Sequence, residues 1–169
     1  MHFEELARCT LEAAARDLLP SFMAPGTRPQ GEHHRIAAVI GFSGDHLRGT
    51  FGVAANLEGL DAVRRLMGAS EGPGAAEDAI GELANLIIGQ LKRSWSKQGA
   101  LITISTPLVV RGLAIEICGL TERHWTCLNL AAGERQLSLW IDAHPGEELA
   151  LGAGEDQAAS LDQGQALLF

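Results

Sequence analysis

The segment Ala75-Ala76-Glu77-Asp78-Ala79-Ile80-Gly81-Glu82-Leu83-Ala84-Asn85-Leu86-Ile87-Ile88-Gly89-Gln90-Leu91-Lys92-Arg93-Ser94-Trp95-Ser96-Lys97 sets the frame for the rest of the chain. Wound at about 100° per residue, it places Ile80, Ala84, Ile87 and Leu91 on one side, with Leu83 and Trp95 alongside. The spacing predicts a helix over 75–97 that stops near Gly99, with this stripe facing a core. Asp78, Glu82, Asn85, Gly89 and Ser96 fall on the opposite side, flanked by Lys92 and Arg93. Glu82 and Asn85 are three apart, so their side chains are neighbours on one exposed face.

Working outward, a Gly72-Pro73-Gly74 turn precedes this helix, and a short helix over 57–67 ends at Gly68. Further upstream, Arg35–Phe42 and His46–Ala55 read as two strands around a Ser43-Gly44-Asp45 turn. In the second strand Leu47, Gly49, Phe51 and Val53 alternate with His46, Arg48, Thr50 and Gly52, which predicts a half-buried sheet. Residues 3–19 carry helical apolar spacing ending at Pro20, and 24–34 read as a Pro- and Gly-punctuated loop. Downstream, strand patterns occupy 101–105, 108–111, 113–118, 124–131 and 135–142, with a turn at Gly133-Glu134. Helices first and in the middle, followed by clustered strands, predict an α+β domain: a largely antiparallel sheet with helices packed on one face. Residues 1–144 form that domain, and 145–169 read as an acidic, Gly-containing C-terminal tail.

The 169 residues suit one domain, and 46% hydrophobic residues exclude wholesale disorder. The 13 Lys plus Arg against 21 Asp plus Glu give a formal charge of −8, which disfavours nucleic acid and anionic membrane surfaces as partners. No apolar run is long enough to span a bilayer, and Met1-His2-Phe3-Glu4-Glu5 does not open a signal peptide. Cys9, Cys118 and Cys127 are too few and too scattered for a disulfide framework, and reduced thiols point to the cytoplasm.

Motifs for other chemistries are missing. The chain has no P-loop, no Gly-x-Ser-x-Gly elbow and no Cys-x-x-Cys. His33-His34 lacks partners at zinc spacing and reads as an exposed loop end, so no metal site is expected. What stands out is the polar face of the 75–97 helix. A helix chosen for stability alone would not carry interior glycines at 81 and 89, each worth about 1 kcal/mol against alanine. Gly89 lies one turn beyond Asn85 and leaves a flat notch beside two polar side chains. Spacing leaves two readings open: a solvated face whose glycines serve internal helix packing, or a face that another molecule approaches closely.

The stretch Asp78–Gly89, with Glu82 and Asn85 in a Glu-x-x-Asn pattern and Gly89 trailing, resembles the signature helix of the CheC/CheX/FliY phosphatases of bacterial chemotaxis. Ile102–Gly112 resembles the segment just after that helix in CheX, and the Ile40–Asp45 hairpin with Gly49 is similar as well, so the likeness covers about residues 1–142. It implies a phosphatase acting on the phospho-aspartate of a CheY-like receiver domain. In the family the Glu and Asn of this motif enter the receiver's active site, which here assigns Glu82 and Asn85 as catalytic. Asp78, one turn earlier, and Gly89 are candidate partner contacts. The receiver is expected to bring Mg²⁺ and a Lys, so no cofactor is expected on this chain. CheC-type chains carry two such motifs. Of the three Asn here, only Asn85 has a Glu three residues before it, so the likeness is to CheX and implies a sheet-mediated homodimer. The alternative is a non-catalytic, dimeric receiver-binding or adaptor module of the same fold.

Overall fold

The structure, a computed structural model, describes residues 2–22, 33–69, 71–119 and 125–146. Most of the 24–34 loop and all of the tail beyond Gly146 lie outside the described residues.

Helix α1 (Phe3–Leu18) is followed by a 3-10 turn at Pro20–Phe22. Strands β1 (His34–Ser43) and β2 (Leu47–Ala55) form the predicted hairpin, and helices α2 (Leu57–Leu66) and α3 (Ala75–Ser96) follow. Then come β3 (Thr103–Ile104), β4 (Leu108–Ile115), β5 (Trp125–Ala132) and β6 (Arg135–Pro145). The sheet order is β3-β1-β2-β6-β5, with β4 also paired to β1, and every pairing is antiparallel. This is the expected α+β class. Among the described residues no helix is long and apolar enough to cross a membrane.

One core joins the three helices to the inner face of the sheet. Ile36, Ala38, Ile40 and Phe42 of β1 and Phe51 and Val53 of β2 meet Leu137, Leu139 and Ile141 of β6 beneath Leu11, Ile80, Leu83, Ile87 and Leu91. Trp95 is fully buried, edge-on to Phe3 and Phe42, and its indole N–H donates to Thr10 Oγ1 at 3.0 Å. An amphipathic α3 is thereby held on three sides, which fixes its rotation about its own axis.

Three local readings change. β2 is not half-exposed along its length: Gly52 and Ala54 are buried as well. Trp140, stacked on Trp125, covers the outer face there with Ala37 and Ala54, and the Trp140 ring leaves no room for a Cβ at Gly52. The pattern at 108–111 and the first part of that at 113–118 form one strand, β4, which ends at Ile115 and leaves 116–118 outside any strand; its register to β1 shifts between the Ile36–Arg111 and His34–Ile115 pairs. That bulge turns Leu113 outward, 84% exposed, instead of continuing an inward alternation. His34 is no exposed loop end; it opens β1, is buried, and its Nε2 lies 2.9 Å from Ser138 Oγ. Because the Ser138 hydroxyl donates its one proton to Asn129 Oδ1 at 2.6 Å, the imidazole carries its hydrogen on Nε2 and donates to Ser138.

Candidate functional site

Gly74, at φ +84°, turns the chain into α3 in a conformation open to glycine. Glu77 and Asp78 occupy the first turn, where the helix dipole favours acids. Glu77 also pairs with Arg111 of β4 at 2.5 Å. Its carboxyl is held below the ordinary glutamate value, chiefly by a hydrogen bond to its own backbone N–H; burial opposes this, and the Arg111 guanidinium adds a further lowering. The pair ties the helix start to the β4 edge.

Burial of Ala79, Ile80, Leu83, Ala84, Ile87, Ile88, Leu91 and Trp95 leaves Asp78, Glu82 and Asn85 exposed on one outward strip, with Gly89 partly exposed one turn further. The structure therefore brings together all four residues singled out in the sequence. Along one border of the strip runs the β3–β4 connection. Ser105 N–H donates to Gly41 O at 2.9 Å, and Gly41 N–H donates to Ser105 Oγ at 3.0 Å, which pins the connection to β1. Pro107 and Val109 consequently lie against Gly81, each 3.9 Å from where a Cβ would stand.

The two helix glycines are thus different. Gly81 is buried and faces β4 side chains, with room for a methyl group at ordinary contact distance. Around Gly89, among the described residues and apart from the helix's own backbone, only a guanidinium nitrogen of Arg93 comes within 4 Å of where a Cβ would stand, at 3.8 Å. The notch expected beside Asn85 exists at Gly89. At Gly81 no notch exists, because the helix turns that position inward.

The three asparagines differ just as clearly. Asn56 caps α2: its Oδ1 accepts from Gly59 N at 2.8 Å and Gln136 N at 3.0 Å, and its Nδ2 donates to Glu134 O at 2.7 Å. Asn129 accepts from Ser138. Among the described residues Asn85 has no side-chain hydrogen bond, and neither Asp78 nor Glu82 has an ion pair. Asn85 thus offers two donors and a carbonyl acceptor to a visitor, and Glu82 beside it offers a carboxylate. Sequence reading passed over two neighbours of the strip: the Glu77–Arg111 tie and Leu86, 40% exposed at its border. Only the tertiary contact reveals the first. The second was legible as an apolar residue off the core stripe.

The strip is an exposed helix face. A cavity of about 330 Å³ opens elsewhere, at the β1–β2 turn and the end of β6, lined by residues such as His46, Arg48 and His144. Among the described residues no group of three or more His, Cys, Asp or Glu is placed to hold a metal ion.

The sequence model that matches this chain is that of the family described as Chemotaxis phosphatase CheX, over residues 36–128. No curated protein sequence matches. Among solved structures, the chemotaxis protein CheX from Desulfovibrio desulfuricans is similar at TM-score 0.67 and 20% identity, covering 83% of this chain and 99% of that one. CheX from Vibrio vulnificus is similar at TM-score 0.64 and 20% identity, covering 80% and 95%. A CheX–CheY–BeF₃–Mg²⁺ complex from Borrelia burgdorferi is similar at TM-score 0.60 and 13% identity, covering 83% and 96%. At these identities the structural likeness carries the fold.

Proposed function

This chain belongs to the CheX family of chemotaxis phosphatases, and from that premise we propose that it hydrolyses the phospho-aspartate of a CheY-like receiver domain, with Glu82 and Asn85 as the catalytic pair. The observation that carries the reading is the state of Asn85: the other two asparagines are consumed by the fold, whereas this one stands uncommitted beside a carboxylate on an outward strip.

The chemistry fits these residue types. Hydrolysis of an acyl phosphate needs a water held in line with the leaving carboxylate. Asn85 holds that water through a carboxamide that donates and accepts and does not titrate. The water oxygen bonds to phosphorus, the bond from phosphorus to the aspartyl oxygen breaks, and the water's proton leaves to phosphate or solvent. Glu82 pairs with the receiver's Lys and fixes the docking register. Orientation of this kind supplies several kcal/mol of barrier lowering. In this reading Mg²⁺ is held by the receiver and not by this chain. Asp78 and Gly89 border the contact, the glycine allowing the receiver's backbone close to the helix.

We assign the chain to the cytoplasm, where such receivers act, and we assign it a homodimeric state through β4. This strand pairs with β1 on one side and exposes Leu108, Val110 and Leu113 at 66%, 43% and 84%. A long apolar edge of this kind invites pairing with another strand. Light scattering of the protein and of a Leu113→Asp variant tests this: a dimer that the charge converts to monomer is expected, and a wild-type monomer refutes it.

The functional test tracks phosphate loss from receivers charged by a small-molecule phosphodonor in Mg²⁺. Faster loss that vanishes in Asn85→Ala, with receiver binding kept, is the expected result. Glu82→Ala should weaken both docking and rate. Binding without acceleration would leave the adaptor reading in place of the enzyme.

A further inference from the structure

We infer that Arg93 is a second docking anchor of the α3 strip, a positioning residue that pairs with a carboxylate at the rim of the receiver's phosphorylation pocket. The inference rests on the receiver-phosphatase reading and deepens it by naming what sets the docking direction.

The guanidinium of Arg93 lies back over the helix, one of its terminal nitrogens 3.8 Å from the space a Gly89 Cβ would fill. A helical side chain leans toward the N-terminus, so an arginine four residues beyond a glycine is well placed to do this. The charge therefore sits about one turn past Asn85, much closer than its own Cα. Arg93 is exposed, and among the described residues it has no acidic partner, nor has its neighbour Lys92. Glu82 and the Arg93 guanidinium thus carry opposite charges about 10 Å apart along the helix axis, with Asn85 between them.

The partner's chemistry supplies the complement. A receiver that holds Mg²⁺ against a phosphoryl group must ligate it with oxygen, and protein carboxylates are the usual donors. The mouth of such a pocket is negative, and this chain carries a formal charge of −8. Two acidic proteins repel at long range, so local cations on the docking strip are needed to offset that repulsion. Arg suits the task better than Lys because its planar fork grips a carboxylate through two hydrogen bonds. Polarity also fixes direction. With Glu82 on the receiver's Lys and Arg93 on its acidic rim, a reversed approach sets like charges together at both ends.

A cation in the last turn of a helix also favours the helix dipole, a purely structural role. The test separates the two. Arg93→Gln, Arg93→Lys and Arg93→Glu are made in the full chain and checked for helix content and melting. Binding is measured to a CheY-type receiver carrying beryllofluoride and Mg²⁺, and kcat and KM are measured with the phosphorylated receiver over a range of salt. Arg93→Gln should raise Kd and KM about tenfold, leave kcat within about twofold, and flatten the salt dependence of binding. Arg93→Lys should recover most of the loss, and Arg93→Glu should exceed it. Unchanged KM in both Arg93→Gln and Arg93→Glu, beside an active wild type, overturns the anchor and leaves the phosphatase reading intact. A fall in kcat with KM unchanged also overturns it, because that group would be acting on the reacting phosphoryl. A wild type that neither binds nor dephosphorylates any receiver removes the functional reading and this inference together.

Discussion

Replacing Gly89 with alanine is expected to make the protein more stable and to weaken the proposed phosphatase activity. A helix-interior glycine is about 1 kcal/mol less favourable than alanine because it loses more backbone freedom on folding. That gain survives only if the new methyl meets no obstacle. At Gly89, among the described residues and apart from the helix's own backbone, its one neighbour within 4 Å is the flexible end of Arg93, at 3.8 Å, an ordinary contact. At Gly81 the methyl would meet Pro107 and Val109, each at 3.9 Å, and would add packing. Both single variants should therefore gain about 1 kcal/mol, which for a chain of this size raises the Tm by about 2–4 °C. The sites lie about 12 Å apart along the helix, so the double variant should show nearly the sum. Function should separate them. Gly81→Ala should dephosphorylate receivers as the wild type does. Gly89→Ala should lose about tenfold in kcat/KM, the usual scale for a methyl forced into a tight contact, and Gly89→Leu should abolish docking with the fold kept. The assays are a thermal melt read by circular dichroism and the loss of receiver phosphate. A Gly89→Ala variant that melts earlier than wild type would show internal packing at that position. A Gly89→Leu variant with full turnover would show that no partner approaches the notch. Either result refutes the reasoning.

Two further outcomes rest on the same geometry. Asn56→Ala removes a helix cap and strands Gly59 N, Gln136 N and Glu134 O, for a loss of about 3 kcal/mol; Asn85→Ala should change stability by less than about 0.5 kcal/mol, and urea titrations of the two variants compare them. Glu77, with its carboxyl held below the ordinary value of 4.5, contributes stability that is complete above that value and lost as pH falls through the lowered one. Glu77→Gln should therefore flatten the stability profile on the acid side and leave it parallel to wild type above neutrality, as read from melts across pH.

Much of the candidate site was legible before any fold was known, because a helix imposes its own period. Ile80, Leu83, Ile87 and Leu91 fix which side of α3 turns inward, so Glu82 and Asn85 had to face out together. The hairpin at Ser43-Gly44-Asp45 and the turn at Gly133-Glu134 are equally local, since turn residues and alternation lie within a few positions of one another. The α+β class comes from the order of these elements.

Other properties depend on neighbours distant in sequence. Gly81 and Gly89 look alike in the helix pattern, and only the β3–β4 connection, pinned to Gly41 through Ser105, shows that one is packed and the other open. Leu113 continues an apolar alternation in sequence, yet the β4 bulge turns it out. His34 comes after a polar loop but is drawn under Ser138 of a strand that pairs two places away in the sheet. Asn56, Asn85 and Asn129 are one residue type, yet Asn56 is held by partners some 80 positions off, Asn129 by Ser138 of the neighbouring strand, and Asn85 has no side-chain hydrogen bond among the described residues. By itself the sequence determined which residues share a face, because periodicity is a property of the backbone. Only the tertiary structure decided which of those faces are covered and which side chains remain uncommitted, because burial and hydrogen bonding are settled between segments that the chain brings together only when it folds.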